Sequence, residues 1–396
     1  MDIPSYVTEL MDVLEENGYE CFIVGGALRS ALLSLPVKDY DLTTNALPEE
    51  IKHCFTDYKT IDTGIQHGTV TVLSHHHPIE ITTYRVDAPY EDHRHPSGVI
   101  FTRALKEDCA RRDFTINAVC ADRNGRIMDF FGGREDMKNR KIRAIGYPEK
   151  RFDEDALRIL RALRFASVLT FTIETETDLA LRRKKDTLAY VSAERISAEL
   201  KGLLEGRNRA AVLVSYREVF EVFLPQLKDV DEVHMEKMIS ALSSAPQDAS
   251  VNMALFLSES GMSDPEQILK DLKYSNADIR MIMNLIELRD MPCKTKIDMR
   301  RLRNRLQCPF DMYLAYRCAC HSDTDKEKVS SLYEETANDC TSLKDLAIRG
   351  NDVTALGIRG PQIGQCLEAA LHAVMEDRVI NEHDALLAWL KDQSIF

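Results

Sequence analysis

The stretch Cys21-Phe22-Ile23-Val24-Gly25-Gly26-Ala27-Leu28-Arg29, with Lys38-Asp39-Tyr40-Asp41-Leu42-Thr43 about a dozen residues on, decides the fold class. Cys21–Val24 is an apolar run of strand length. Two glycines follow, and then a helical segment from about Ala27 to Ser34. A strand that turns into a helix on Gly-Gly lets backbone N–H groups approach an anion. The helix N-terminus adds partial positive charge, and Arg29 can add a full one. Alone, such a turn is more often only a tight turn.

The second segment changes that balance. Lys38–Thr43 has the character of a short strand, preceded by Pro36. In a strand, residues i and i+2 face the same way, so Asp39 and Asp41 share a face while Tyr40 and Leu42 take the other. Two neighbouring carboxylates repel unless a cation lies between them, and oxygen ligands of this kind suit Mg²⁺. Next to a phosphate cradle, the pair has the layout of phosphoryl transfer. Glu80 is a charge inside the β-rich run Ile79–Tyr84. If its strand neighbours that of Asp39 and Asp41, it completes a three-carboxylate site; otherwise it is an outward-facing strand residue.

Working outward, residues 5–16 have helical spacing at Tyr6, Leu10, Val13 and Leu14 and stop at Gly18. Leu47-Pro48-Glu49-Glu50 opens another helix. Thr69–Leu73 and Ile79–Tyr84 predict a hairpin around His75-His76-His77-Pro78, a string that is expected to be a solvated turn rather than a metal site. Residues 86–107 are polar, with Pro89, Pro96 and Gly98, and predict a long working loop. Asp108–Asn117 leads into a helix, and Ile127–Phe131 is a further strand. Beyond about residue 148 helical periodicity takes over. The expectation is a mixed α/β head followed by an all-helical remainder.

At 396 residues the chain exceeds one ordinary core. Its 44% hydrophobic and 29% charged residues are those of a soluble protein, with no membrane-length apolar run. The N-terminus lacks signal-peptide character, so the cytosol is the expected compartment. Ten scattered cysteines without a C-x-x-C argue against a zinc ribbon, and Cys318-Ala319-Cys320-His321 is expected to be ordinary helix. A formal net charge of −13 argues against a generic lysine-coated nucleic-acid binder without excluding one, since a local basic stripe is enough to grip one small RNA. Candidates are Arg182-Arg183-Lys184-Lys185, Arg207 with Arg209, and Arg300, Arg301, Arg303 and Arg305, each equally readable as a solvated helix face.

Further motifs follow in order. They are Glu80-Ile81-Thr82-Thr83-Tyr84-Arg85, Arg111-Arg112-Asp113-Phe114-Thr115-Ile116-Asn117-Ala118, Asp129-Phe130-Phe131-Gly132-Gly133, Arg151-Phe152-Asp153-Glu154-Asp155-Ala156-Leu157-Arg158 and Ser192-Ala193-Glu194-Arg195-Ile196. With the first two, this series resembles the class II tRNA nucleotidyltransferases (CCA-adding enzymes) and the related bacterial poly(A) polymerases, over about residues 21 to 200. The likeness is looser beyond, at Leu272–Asn276 and Gly357–Gly364. Two positions depart from the pattern: Ser30 stands where the family usually has aspartate, and Ser34 where it has a helix-ending glycine.

The resemblance implies an α+β fold. It has a polymerase β-like nucleotidyltransferase head over 1–148, a base-recognising helical neck over 149–205, a helical body over 206–300 and a tRNA-binding helical tail over 301–396. It implies Asp39 and Asp41 as ligands of two Mg²⁺ ions, with Glu80 as a third catalytic carboxylate. Nucleotide contacts fall on Gly25, Gly26, Arg29, Arg112, Asp113, Asn117, Asp155, Arg158, Arg161 and Arg164, with Asp113 on the ribose 2′-hydroxyl. The expected partners are the tRNA 3′ end, CTP and ATP, with no membrane.

Asp155 and Arg158, at i, i+3 on a helix, would lie on one face. One only accepts hydrogen bonds and the other only donates. Cytosine and adenine both present an amino donor beside a ring-nitrogen acceptor, whereas guanine and uracil present the reverse. One such pair therefore accepts CTP and ATP and leaves buried polar groups unpaired with GTP or UTP. Arg161 and Arg164 extend the stripe, to RNA phosphate or to brace the neck.

In the family a flexible loop at 86–107 helps reset the site from C to A, with Asp92, Arg94 and Arg103 as working candidates here. Full CCA addition or terminal A addition is thus favoured over CC alone. The alternatives are an A-adding enzyme with a separate CC-adding partner, a poly(A) polymerase, which usually ends in a basic tail, and an inactive RNA-binding relative. A phosphohydrolase built on His383-Asp384 lacks a second His and Asp at useful spacing.

Overall fold

The computed structural model describes residues 3–37, 39–62, 64–87 and 99–393, with only the backbone at Asp87. Asp92 and Arg94 lie outside the described residues. The chain forms two compact units, residues 1–228 and 229–396.

The first unit begins with helix α1 (Ser5–Glu16), which buries Val7, Leu10, Met11 and Leu14 along one stripe. There follow strand β1 (Cys21–Val24), α2 (Gly26–Leu32), β2 (Asp41–Thr44), α3 (Pro48–Cys54), β3 (Lys59–Ile61), β4 (Thr69–Ser74) and β5 (His77–Thr83). Next come β6 (Arg85–Asp87), β7 (Val99–Phe101), α4 (Leu105–Ala110), β8 (Val119–Ala121), β9 (Ile127–Asp129) and α5 (Gly133–Lys138). Seven strands form one sheet in the order β3-β4-β5-β2-β1-β8-β9. Its neighbours run antiparallel except β2 and β5, which pair in parallel with Asp41 opposite Glu80.

The hairpin is built as expected. His75 and His76 carry φ of +47° and +69° between the paired residues Ser74 and His77, the two-residue turn whose twist matches the strands. The histidines serve structure: His75 meets Glu9 at 2.9 Å, and His77 stacks on Tyr6 at 4.2 Å between ring centres.

Several boundaries differ from expectation. β2 starts at Asp41, so Asp39 precedes the strand, yet exposure still alternates with Tyr40 and Leu42 buried. α2 stops at Leu32, and Ser34 takes the left-handed position, φ +56°, that glycine would fill without strain. The segment 86–107 is not all loop. β6 and β7 make a two-stranded ribbon, Arg85 opposite Phe101, and α4 begins at Leu105. That helix ends at Ala110, and Thr115–Asn117 is a single 3₁₀ turn rather than a longer helix.

Four helices complete the site's surroundings: α6 (Pro148–Glu154), α7 (Leu157–Leu169), α8 (Thr175–Lys184) and α9 (Ala193–Leu204). The chain breaks between α6 and α7, where Asp155 is extended at φ −145°, ψ 104°. α7 packs along α9, and its end is closed by Ser167, whose hydroxyl donates to Leu203 O at 2.7 Å.

Among the described residues the regular elements of the second unit are helices, from Glu232–Ser244 to His383–Asp392. Asp231, Asp248, Asp264, Ser275, Thr295 and Asp325 cap six of these helices by accepting main-chain N–H groups. Most residues of the candidate basic stripes are engaged at home. Arg300 binds Asp339 and Asp377, Arg301 binds Glu376, Arg303 lies over the Tyr333 ring, and Arg305 pairs with Glu287. In the first unit Arg182 holds Asp178 and Glu218, Arg183 holds Glu149, and Lys184 holds Asp153. Arg209 is buried on Gly206 O. All ten cysteines are free thiols. Among the described residues no helix is long and apolar enough to cross a membrane.

A methyl group on Gly206 would lie 2.1 Å from Ser167 Oγ and 2.5 Å from its carbonyl carbon. The carbonyl carbon cannot rotate away. Gly206→Ala is therefore expected to cost about 1–3 kcal/mol by overpacking, read as a lower urea midpoint at unchanged slope.

Candidate active site

β1 gives way to Gly25, whose φ of +72° and ψ of −134° only glycine adopts readily. Val24 pairs with Asp41 on one side and Cys120 on the other, so the Gly-Gly turn emerges beside Asp41. The parallel register then sets Glu80 on the far side of Asp41. Burial pushes the Asp41 carboxyl up from its usual range, and Glu80 and Asp39 push the same way while Arg112 opposes them. The three carboxylates thus share one field. Among the described residues no three His, Cys, Asp or Glu side chains converge as a ready-made metal cage.

In front of this turn lies a cavity of about 780 Å³. It is lined by all ten residues proposed to contact a nucleotide, from Gly25, Gly26 and Arg29 to Arg161 and Arg164. Asp41 also lines it; Asp39 and Glu80 do not. Eight arginines face the cavity, Arg29, Arg85, Arg111, Arg112, Arg158, Arg161, Arg164 and Arg195, against Asp41, Asp113 and Asp155. Such a surplus of fixed positive charge in a recess suits a polyanion. α2 has only seven residues, so Arg29, more than the helix end, supplies charge beside the glycines.

The arginines are held by a buried lattice. Arg161 reaches Asp113 Oδ2 at 2.6 Å and Glu199 at 3.7 Å, and Arg164 reaches Glu199 at 3.0 Å. Arg29, Arg161 and Arg164 all lie over the Phe165 ring, 4.8–5.6 Å from its centre. Burial lowers Arg29 to about 10, helped by Arg164 and Arg161 and opposed by Asp113, which leaves it charged at neutral pH. Arg161 therefore ties α7 to the segment after α4 through Asp113, while Arg164 ties α7 to α9 through Glu199. Asn117 joins the lattice, accepting from Arg29 and donating to Asp113 Oδ1 at 2.9 Å.

Two pairings differ from the expected ones. Asp155 and Arg158 are not partners on one helix, because the break between α6 and α7 separates them. Asp155 accepts from Arg195 at 2.8 Å and from Leu157 N at 3.1 Å. Arg158 donates to Glu154 at 2.7 Å and to the carbonyls of Arg151 and Arg111. Both still line the cavity, where a base edge would exchange for these neighbours. Asp113 accepts from Asn117, Phe114 N and, twice, Arg161, which fills its acceptor positions. A ribose hydroxyl bound there would displace one of them.

Arg103, expected to work in the loop, is tied to Glu50 and Asn45 O. Gln66, His67, Val99 and Phe165 line the cavity without having been foreseen. Asp108 was also missed, although its i+3 and i+4 spacing to Arg111 and Arg112 was a legible sign.

The chain resembles known proteins over nearly its whole length. The chain is 35% identical over 390 residues to the CCA-adding enzyme of Leuconostoc citreum, covering 97% of this chain and 94% of that one. This chain belongs to the CCA-adding enzyme family. The Enterococcus faecalis member is 34% identical over 410 residues, with 99% and 97% covered. Family profiles match in sequence order: the poly A polymerase head domain over 21–143, an RNA- and SrmB-binding site of polymerase A over 170–230, and a tRNA nucleotidyltransferase domain 2 over 245–390. The crystal structure of the Bacillus stearothermophilus CCA-adding enzyme in complex with CTP is 30% identical, with TM-score 0.83 over 99% of this chain and 98% of that one. The Thermotoga maritima CCA-adding enzyme, solved with tRNA, shares the fold at 20% identity and TM-score 0.64.

The Asp113 carboxyl has a testable acid signature. Burial opposes its ionisation, but Arg161, Asn117 and the Phe114 N–H outweigh burial and hold it at about 2 against an ordinary 3.8. A depressed value stabilises the fold above the unfolded pKa, and that stability is lost as pH falls from about 4 towards 2. The contribution is about 2 kcal/mol at neutral pH and about half that at pH 3. Asp113→Asn is expected to be less stable than the parent at pH 7, with the gap narrowing between pH 5 and 3 in urea titrations.

Proposed function

We propose that this chain is a template-independent tRNA nucleotidyltransferase that adds C, C and then A to the tRNA 3′ end from CTP and ATP. One observation carries the reading: a single arginine-lined cavity joins the Gly25-Gly26 turn and Asp41 to Asp155 and Arg158. A triphosphate at the first station leaves its base at the second. The likeness to the CTP-bound Bacillus stearothermophilus enzyme supports the same placement.

Gly25 and Gly26 offer main-chain N–H groups, and Arg29 and Arg112 offer charge, to the phosphates. Asp39 and Asp41 would hold two divalent cations, with Mg²⁺ the natural choice. The donor set fits, because Asp41 and Glu80 are adjacent hard oxygen donors crowded enough to resist sharing a field without a cation. Mg²⁺ commonly binds through one or two carboxylates and completes its shell with water and substrate phosphate, so no closed cage is needed. Bound there, such cations would lower the pKa of the RNA 3′-hydroxyl and neutralise the leaving pyrophosphate.

Asp155 and Arg158 would read the base by accepting from an amino group and donating to a ring nitrogen. Arg195 and Glu154 hold them when no base is present. Asp113 and Asn117 face the sugar. The division into head 1–148, neck 149–205, body 206–300 and tail 301–396, with tRNA gripped by the tail, completes the reading.

The test is a tRNA ending at its discriminator base, incubated with each nucleotide singly and with all four. Extension by C, C and A in order is expected, with no extension of a generic RNA oligomer; a growing A tail on the oligomer would instead mark a poly(A) polymerase. Asp41→Ala is expected to lose at least about a thousandfold in rate. Asp155→Ala is expected to incorporate GTP and UTP at rates near those of CTP while chemistry persists. Deletion of most of residues 90–103 is expected to stop addition after CC, and normal A addition by that variant would remove this segment from the switch.

A further inference from the structure

Behind the cavity's arginines lies a carboxylate that solvent does not reach. Asp108, on α4, is fully buried. Its Oδ1 accepts from Arg111 Nε at 2.9 Å and from the Arg85 main-chain N–H at 3.3 Å. Its Oδ2 accepts from Arg112 Nη2 at 3.1 Å and from Thr43 Oγ1 at 3.3 Å. Thr43 lies two residues beyond Asp41 on β2, and Arg85 opens the β6–β7 ribbon. One buried carboxylate therefore ties the arginine motif to the strand that carries Asp41.

Arg112 spans the gap between the two carboxylates. One end of its guanidinium is on Asp108. The other stands over Gly25, where a methyl group would lie 3.7 Å from Arg112 Nη1 and 3.8 Å from Asp41 Oδ2. Among the described residues no ion pair joins Arg112 to Asp41. A full positive charge thus stands beside Asp41 without occupying it.

We propose that Asp108 is a positioning residue that holds Arg112 back from Asp41 and so keeps the Asp41 oxygens open to a divalent cation. The inference rests on the reading of Asp41 as a metal ligand. An arginine stays charged when it loses its partner. A buried, uncompensated charge is costly, so it moves to the nearest carboxylate. With Asp108 neutral, that carboxylate is Asp41. A two-pronged guanidinium–carboxylate pair would cover the very oxygens a cation needs. The glycine at position 25 leaves the path between them clear.

The test reads metal binding directly, without turnover, from the electron paramagnetic resonance signal of free Mn²⁺ over the full-length chain. Asp108→Asn is expected to weaken Mn²⁺ binding about tenfold, as loss of a group that orients a metal site commonly does. Adding Arg112→Met to Asp108→Asn is expected to restore it, because the competing charge is gone; a general loosening of the fold would not be rescued by removing a second buried group. Asp108→Glu, which keeps the charge, should bind nearly as the parent does. Unchanged Mn²⁺ binding in Asp108→Asn, or no recovery in the double variant, overturns the proposal. Should Asp108→Asn alone fail to fold, Arg112→Met is compared with the double variant: equal affinities support action through Arg112, and a further loss overturns it. Asp41→Asn separates the two levels. If it binds Mn²⁺ like the parent, the metal assignment itself fails; if it loses Mn²⁺ while Asp108→Asn does not, only the role of Asp108 fails.

Discussion

The parallel pairing of β2 with β5 is the constraint on which the site depends. It is the one parallel junction in an otherwise antiparallel sheet, and it sets Asp41 beside Glu80. Burial and the Glu80 charge both raise the cost of ionising Asp41. The sheet accepts this because positive charge is close at hand. Arg112 opposes the rise at Asp41, and the surrounding arginines give the cavity its sign. Strand register therefore creates an electrostatic demand that a cation and a triphosphate can jointly meet.

The arginines need holding in their turn. Each extra guanidinium brought into a recess repels the others, and burial weakens every one. The structure answers with carboxylates set behind them: Asp113 and Glu199 under Arg161 and Arg164, Asp108 under Arg111 and Arg112, and Asp155 under Arg195. Phe165 adds a shared aromatic face to three of them. The lattice also joins head to neck, because Asp113 belongs to the segment after α4 while Arg161 and Glu199 come from α7 and α9. The parts of the cavity lined by the Gly25-Gly26 turn and by α7 are thus fixed to each other by buried ion pairs.

The basic stripes away from the cavity obey a different economy of charge. Arg300, Arg301, Arg303 and Arg305 are each engaged by a neighbour in their own unit. The exposed pairs of Arg301 and Arg305 contribute about 0–1 kcal/mol each. Those two order surface side chains without adding much to stability, and the chain's net charge of −13 reflects an excess of acids over bases.

The sequence by itself determined the local events: a strand running into Gly-Gly, alternation around Tyr40, a hairpin at the histidines and helices after residue 148. These follow from short-range rules, since period, turn chemistry and motif spacing are written along the chain. Tertiary structure alone decided the partners. No spacing could show that Glu80 pairs in register with Asp41, that Asp155 is extended and held by Arg195 rather than sharing a helix with Arg158, or that Asp113 spends its acceptors on Arg161 and Asn117. Burial, too, came only with folding, and burial turns Asp108 from one of many acids into the anchor of two arginines. Partners and burial are set by residues far apart in sequence, and a chain read in one dimension carries their identities but not the distances between them.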